Sequence, residues 1–266
     1  MAANELASVD GRISATTAAT IPLPDDGLYR GDGVFEVIRL YRGRPFALRE
    51  HLDRLERSAA AIELRVELSL IERELVTLLA EFGTDDAQLR IVLTRAGRRI
   101  LLIEHLPEQG DSVRLATVTY SPTVILTGVK SLSYAANMQA TRVAGRRGAD
   151  EALLVRPDGI VLEAPTSAIF WVSPQGGLRT PSLEAGILDS ITRAQIVRSL
   201  DVEEGEFPAE DLLGAHEAFL ASTVREVQPV AAIDGHELET GPRTLEADEA
   251  FKGALKQALG SPRSTA

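Results

Sequence analysis

Between positions 33 and 41 the chain reads GVFEVIRLY, a run rich in β-branched residues that predicts a strand. An Arg-Gly-Arg turn follows, then a short return through Pro45, Phe46 and Ala47. Leu48, Leu52, Leu55, Ala59 and Ile62 recur at spacings of three and four, the period of a helix that carries one apolar stripe. The pattern predicts a second helix over 70–82, stopped by Gly83, and strands over 88–95, 99–105 and 113–120. Strand, two helices and then strands is an α+β order.

The segment 121–127 leaves the last of these strands at a Ser-Pro step and carries no clear helical pattern, so it reads as a connector. Beyond it the pattern changes. A helix is expected over 133–147, stopped by Gly148, and a strand over 151–156. A Pro-Asp-Gly turn then leads into a strand over 160–163. Further strands are expected over 169–173, 178–180, 218–221 and 227–233, with a helix capped by Ser190 running to 200. The tail over 244–259 reads as a helix, and 261–266 as a frayed end.

A chain of 266 residues, 44% hydrophobic, can bury a full core as one large or two medium domains. The reading places an N-terminal α/β domain at 1–120, the connector at 121–127 and a C-terminal domain at 128–266. A formal charge of −11 argues against nucleic acid as a partner. No run reaches the roughly 18 to 20 apolar residues of a membrane span, and the start lacks a basic, then apolar, leader pattern. The absence of cysteine excludes disulfides and thiolate metal sites, and the whole fits a cytoplasmic protein.

Lysine stands at only three of the 28 basic positions, 130, 252 and 256; the rest are arginine. A guanidinium serves the same surface roles, but only a lysine can become an amine nucleophile. Lys252 and Lys256 lie four apart in the polar tail helix. Lys130 lies between an apolar run and a small-residue helix, where it reads either as a snorkelling side chain or as a reactive amine.

Several familiar signatures fail. Gly128-Val-Lys-Ser lacks the spacing of a phosphate loop, and Gly31-Asp-Gly33 lacks a third glycine. The four histidines show no metal-ligand spacing, and no Gly-x-Ser-x-Gly elbow occurs. An aldehyde cofactor bearing a phosphate, by contrast, needs an amine, phosphate donors and a carboxylate to keep a ring nitrogen protonated. Lys130 supplies the amine and Glu163, beside Ala164-Pro-Thr-Ser-Ala168, is a candidate carboxylate. Ser190-Ile-Thr192 opens a helix, where an anion is favoured. Ser222-Thr223 offers two hydroxyls, and Arg54 is one of several arginines on the first helix.

In order and spacing, six segments carry a resemblance: RGDGVFEVIRLYRG (30 to 43), FALREHLDRLERSA (46 to 59), GVKSLSY (128 to 134), GADEALLVRPDGIVLEAPTSAIF (148 to 170), GILDSITR (186 to 193) and FLASTVREVQPV (219 to 230). Together the chain resembles the class IV aminotransferases, the fold-type IV pyridoxal-phosphate enzymes. The resemblance implies a smaller N-terminal α/β domain and a larger C-terminal, cofactor-binding domain with a barrel-like sheet. It implies that Lys130 is the Schiff-base lysine and that Glu163 pairs with the pyridine nitrogen. Arg54, the amides of Ile191 and Thr192, and Ser222 with Thr223 become the phosphate cradle; Leu188 packs on the ring. It also implies a homodimer, and an amino acid and a 2-keto acid as substrates.

For the substrate, the motifs look closest to the D-amino-acid transaminases, with D-alanine or D-glutamate as donor and 2-oxoglutarate as acceptor. Those enzymes carry a tyrosine where this chain has Phe35, and an Arg-x-His pair near Thr94-Arg-Ala-Gly-Arg-Arg-Ile100, where the histidine is absent. Arg98, its neighbours Arg95 and Arg99, or Arg30 could hold the substrate carboxylate. The alternatives are a branched-chain L-amino-acid aminotransferase, an aminodeoxychorismate lyase and a catalytically idle dimer.

Overall fold

The computed structural model describes residues 5–260, so the expected frayed end at 261–266 lies outside the described residues. The described residues divide into two compact units, one holding 5–107 and 129–134, the other 108–128 and 135–260. This division differs from a boundary at 120. The strand at Val113–Thr119 pairs within the second unit, and the segment carrying Lys130 belongs to the first.

The first unit contains β1 (Leu6–Val9), β2 (Arg12–Ala15), α1 (Asp26–Arg30), β3 (Gly33–Tyr41), β4 (Arg44–Pro45), α2 (Leu48–Ala61), α3 (Leu68–Phe82), β5 (Ala87–Thr94) and β6 (Arg99–Glu104). The strands form one antiparallel sheet in the order β2-β1-β6-β5-β3-β4. Register puts Val34, Ile38 and Leu40 of β3 beside Leu93, Leu89 and Ala87 of β5. Leu52, Leu55 and Ala59 of α2 and Ile71, Leu75 and Leu78 of α3 pack on this face to make the core. The start of β3 gains an extra neighbour in the 129–134 segment, through Phe35 N–H to Lys130 C=O (3.0 Å) and Leu132 N–H to Gly33 C=O (2.9 Å). A Cβ on Gly33 would run into the Leu93 carbonyl and the Leu132 side chain, so this close approach needs glycine.

The second unit contains β7 (Val113–Thr119), α4 (Ala135–Gly145), β8 (Glu151–Val155), β9 (Ala168–Val172), β10 (Leu178–Pro181), α5 (Ile191–Ser199), β11 (Val202–Gly205), α6 (Glu210–Leu213), β12 (Ala218–Ser222), β13 (Glu226–Ile233), β14 (His236–Glu237) and α7 (Pro242–Gly260). Its sheet runs β11-β10-β9-β12-β13-β7-β8, with β14 on β13, and curls into a half-barrel. Pairing is mixed: β13-β7, β7-β8 and β10-β11 are parallel, the others antiparallel. Every residue of β9 (AIFWV) is buried because both faces are covered. Ile169 and Trp171 join a core with Phe207 and Leu212, whereas Ala168, Phe170 and Val172 join one with Ile196 of α5 and Ala247 of α7. Ala140 and Ala144 let α4 lie close against Ala116, Ala152 and Leu154.

One expected element takes another form. The run 160–163 makes only isolated bridges, Val155 to Val161 and Ile160 to Pro208, because Val161 N–H turns aside to the Phe207 carbonyl while Leu162 N–H bonds to Leu154.

Candidate active site

In the first unit the strand alternation of β3 sorts its side chains onto two faces. Glu36 shares the helix-facing side with Val34, Ile38 and Leu40, and it is fully buried among them. An unpaired carboxylate could not remain charged there. Helix α2 supplies the partners: Arg54 donates through Nε to Oε1 (2.6 Å) and through Nη2 to Oε2 (2.7 Å), and His51 Nδ1 stands 2.8 Å from Oε2. His51 and Arg54 are three apart and therefore point from the same side of the helix. Burial works to raise the Glu36 pKa, but the Arg54 guanidinium and the Arg54 and His51 hydrogen bonds outweigh it and hold the carboxylate at about 2. Burial lowers the His51 pKa against the pull of Glu36, with Arg54 and Lys130 adding to the lowering. A neutral ring donating from Nδ1 agrees with its buried Nε2, which has no hydrogen-bond partner among the described residues.

Lys130 is anchored through its backbone, its N–H donating to Ser58 Oγ (3.2 Å) of α2 and its carbonyl accepting from Phe35. Its Nζ lies 4.5 Å from the Phe35 ring centre and 5.8 Å from that of Tyr134. The two rings meet edge to face at 5.3 Å. Phe35 belongs to the β3 face opposite Glu36, and so does Arg90 of β5, because Val37 pairs with Arg90. The Arg90 guanidinium lies 6.0 Å from the Phe35 ring centre and donates through Nε to Glu104 (2.9 Å). Phe35 is thus flanked by an ammonium and a guanidinium.

Like Arg90, the other arginines considered for a carboxylate each have an acidic partner. Arg30 pairs with Asp26, one turn back on α1; Arg98 donates to Asp10 (2.9 Å), Arg95 to Asp32 and Arg99 to Glu74. Glu36, His51 and Arg90 were not singled out by the sequence reading. A period of two along GVFEVIRLY puts Glu36 on the apolar side, and that lone buried acid was the available signal.

In the second unit, Glu163 Oε1 accepts from the Leu188 N–H (3.1 Å), and its own backbone carbonyl accepts from Leu154 (2.9 Å). The carboxylate is therefore aimed by backbone on both sides. Burial and the charge of Glu163 together push the Tyr120 phenol up. Ser190 caps α5 by accepting from Arg193 N–H (3.3 Å). Ile191 and Thr192 open the helix, where first-turn amides have no carbonyl within it to reach. Ser222 ends β12, and its Oγ accepts from Arg225 N–H (3.3 Å), which leaves its hydroxyl hydrogen to donate outward. Thr223 follows it in a three-residue turn.

The chemistry of this donor set fits pyridoxal phosphate. Helix-opening amides and hydroxyls suit a phosphate, a backbone-held carboxylate suits a pyridinium, and a lysine amine set over two aromatic rings suits an aldehyde. Among the described residues no group of His, Cys, Asp or Glu could hold a metal ion, and no helix is long and apolar enough to cross a membrane.

Known proteins agree with this chemistry. The family model for amino-transferase class IV matches residues 33–233. A putative branched-chain-amino-acid aminotransferase of Methanocaldococcus jannaschii is 32% identical, covering 92% of this chain and 94% of that one. A D-alanine aminotransferase of Bacillus licheniformis is 31% identical over 92% of this chain and 95% of its own. Among solved structures, a fold IV transaminase of Curtobacterium pusillum superposes with a TM-score of 0.83 at 28% identity, covering 93% of this chain and 98% of that one. With the family model matched over residues 33–233, the chain belongs to the class IV aminotransferases and is a pyridoxal-phosphate-dependent aminotransferase acting on amino acids and keto acids.

Proposed function

We propose that the enzyme moves the amino group of a D-amino acid, such as D-alanine or D-glutamate, to a 2-keto acid such as 2-oxoglutarate. The observation that carries a carboxylate-bearing substrate is that the Arg90 guanidinium and the Lys130 amine both lie over the Phe35 ring, 6.0 and 4.5 Å from its centre. A guanidinium that can bind a carboxylate through two parallel hydrogen bonds orients the substrate α-carbon relative to the amine. The D configuration is supported by the RGDGVFEVIR and EHLDRL segments and by the similarity to a D-alanine aminotransferase.

In this reading Lys130 would hold the cofactor aldehyde, and its free amine would serve as the base for the proton on the substrate α-carbon. Glu163 keeps a proton on the ring nitrogen, and Leu188 N–H keeps Glu163 in place. Ile191, Thr192, Ser222 and Thr223 bind the phosphate in the second unit. Pyridoxal phosphate supplies the electron sink that makes the α-proton acidic. The exchange of one amino acid for one keto acid gives ping-pong kinetics. Exposed Leu28 and Tyr29 on α1, beside Leu23, support a homodimer that covers them.

The test is a half-reaction. The visible band of the loaded enzyme should fade with D-glutamate or D-alanine and persist with L-leucine. Fading with L-leucine alone assigns the enzyme to branched-chain amino acids. Turnover that continues without any keto acid makes it a lyase.

A further inference from the structure

The turn that joins β12 to β13 is held by contacts at Ser222, Val224 and Arg225. Ser222 faces Glu226 across the hairpin, and Thr223, Val224 and Arg225 form the loop between them. Glu226 sits at φ 59, a left-handed conformation that costs a side chain free energy and persists only where surrounding contacts hold it. Val224 C=O accepts from Gln109 Nε2 (3.1 Å), and Arg225 N–H donates to Ser222 Oγ. The Arg225 guanidinium reaches out of the turn to two groups, Gln228 Oε1 (2.6 Å) on β13 and Glu151 Oε2 at the start of β8. Gln228 in turn donates to the Gly110 carbonyl (2.8 Å).

Glu151 is 3% exposed and has a second partner. Its Oε1 accepts from Thr166 Oγ1 (3.2 Å), in the small-residue loop three residues after Glu163. One buried carboxylate thus ties the turn that carries Ser222 and Thr223 to the loop that follows Glu163. Nothing in the chemistry of amino transfer requires an acid at this position. Replacing a buried ion pair as a whole by apolar residues is often neutral for stability, so stability alone does not account for the Glu151–Arg225 pair.

We propose that Glu151, acting through Arg225, is a positioning residue that fixes the Ser222-Thr223 turn in the conformation that binds the cofactor phosphate. The inference rests on the reading of Ser222 and Thr223 as phosphate donors. Charge-assisted hydrogen bonds from a rigid buried acceptor set the turn more narrowly than the hairpin alone, and phosphate binding is steep in donor position. We place the effect of Glu151 on cofactor binding at the phosphate end, through Arg225 and the turn.

That confinement makes the idea testable. The apo form of the full chain is titrated with pyridoxal phosphate and, separately, with pyridoxal, which lacks the phosphate. In the unaltered protein the phosphate-bearing compound should bind far more tightly. Glu151→Gln should weaken pyridoxal phosphate by about tenfold or more, the scale typical for residues that orient a ligand-binding group, and leave pyridoxal within about twofold. The ³¹P resonance of the bound cofactor should shift and broaden. Arg225→Lys, which keeps the charge but cannot span Glu151 and Gln228 together, should show the same selective loss, and it serves if Glu151→Gln does not fold. Equal weakening of both compounds, or no weakening of either, overturns the proposal. Equal binding of the two compounds by the unaltered protein overturns the phosphate reading of Ser222 and Thr223 on which it rests.

Discussion

Glu36 on β3 and Arg54 on α2 form a two-pronged ion pair at 2.6 and 2.7 Å with both side chains buried. The pair joins β3 of the first unit to the helix that packs on it, and His51 closes the third side. Removing one charge of a buried pair leaves the other without compensation, at a cost of about 3 to 5 kcal/mol. Glu36→Gln should therefore lower the unfolding free energy by that amount in urea denaturation. Replacing all three polar groups together with apolar residues should cost less than Glu36→Gln alone. A triple variant that is the less stable of the two would show that the network contributes net stability.

The same network sets a direction for the pH dependence of stability. The Glu36 carboxyl is held at about 2, below its ordinary value of 4.5. Its contribution is fully present above the unfolded value and is lost as pH falls towards about 2. The His51 pKa is lowered below 6.5, so the unfolded chain takes up a proton on His51 that the folded one refuses. Stability should fall as pH drops through 6.5, and again below 4.5. Urea midpoints at pH 8, 6, 5 and 4 read both steps. His51→Gln, whose amide can still donate to Glu36, should flatten the step between 7 and 5 and leave the lower one. A slope unchanged by His51→Gln would place the titrating group elsewhere.

On the proposed reading, Arg90 would separate substrates by whether they carry a carboxylate. A hydrogen-bonded pair between ions is worth roughly 1.5 to 3 kcal/mol, or about ten- to a hundredfold in binding. Arg90→Gln should raise KM for amino acids by that factor and leave the reaction with a simple amine unaffected. Arg98→Gln belongs in the same series, because the sequence pointed to Arg98 and the structure bonds it to Asp10. A larger KM effect at Arg98 would return the carboxylate site to that turn.

How the sequence and the structure correspond follows from the physics of each element. The strand at Gly33–Tyr41 and the helix at Leu48–Ala61 were legible because their apolar periods run long enough to be unambiguous. The four-residue strands at Leu6–Val9 and Arg12–Ala15 were not, since so short a run has no period to read, and their place is settled by the pairing of β1 with β6 and of β2 with β1. Lys130 stood out because lysine is scarce. Arg90 did not, because one arginine in a strand of alternating burial carries no mark until register sets it beside Phe35. Glu151 was hidden for the same reason: its partners Thr166 and Arg225 are 15 and 74 residues away.

The scarcity of lysine gives the reactive amine an unusually clean test. Lys252 donates to Asp248 on the surface of α7, where an ammonium four residues from a carboxylate is kept protonated. Lys130 instead faces two aromatic rings from a backbone position fixed by Phe35 and Ser58. Borohydride reduction of the loaded enzyme, followed by digestion and mass spectrometry, should place the cofactor on the peptide containing Lys130 and leave those of Lys252 and Lys256 unlabelled. Lys130→Arg keeps the charge beside Phe35 but offers no nucleophilic amine, so it should abolish both the label and turnover while the protein still folds. Label on the α7 peptides of the unaltered enzyme, or turnover by Lys130→Arg, would remove Lys130 from the chemistry.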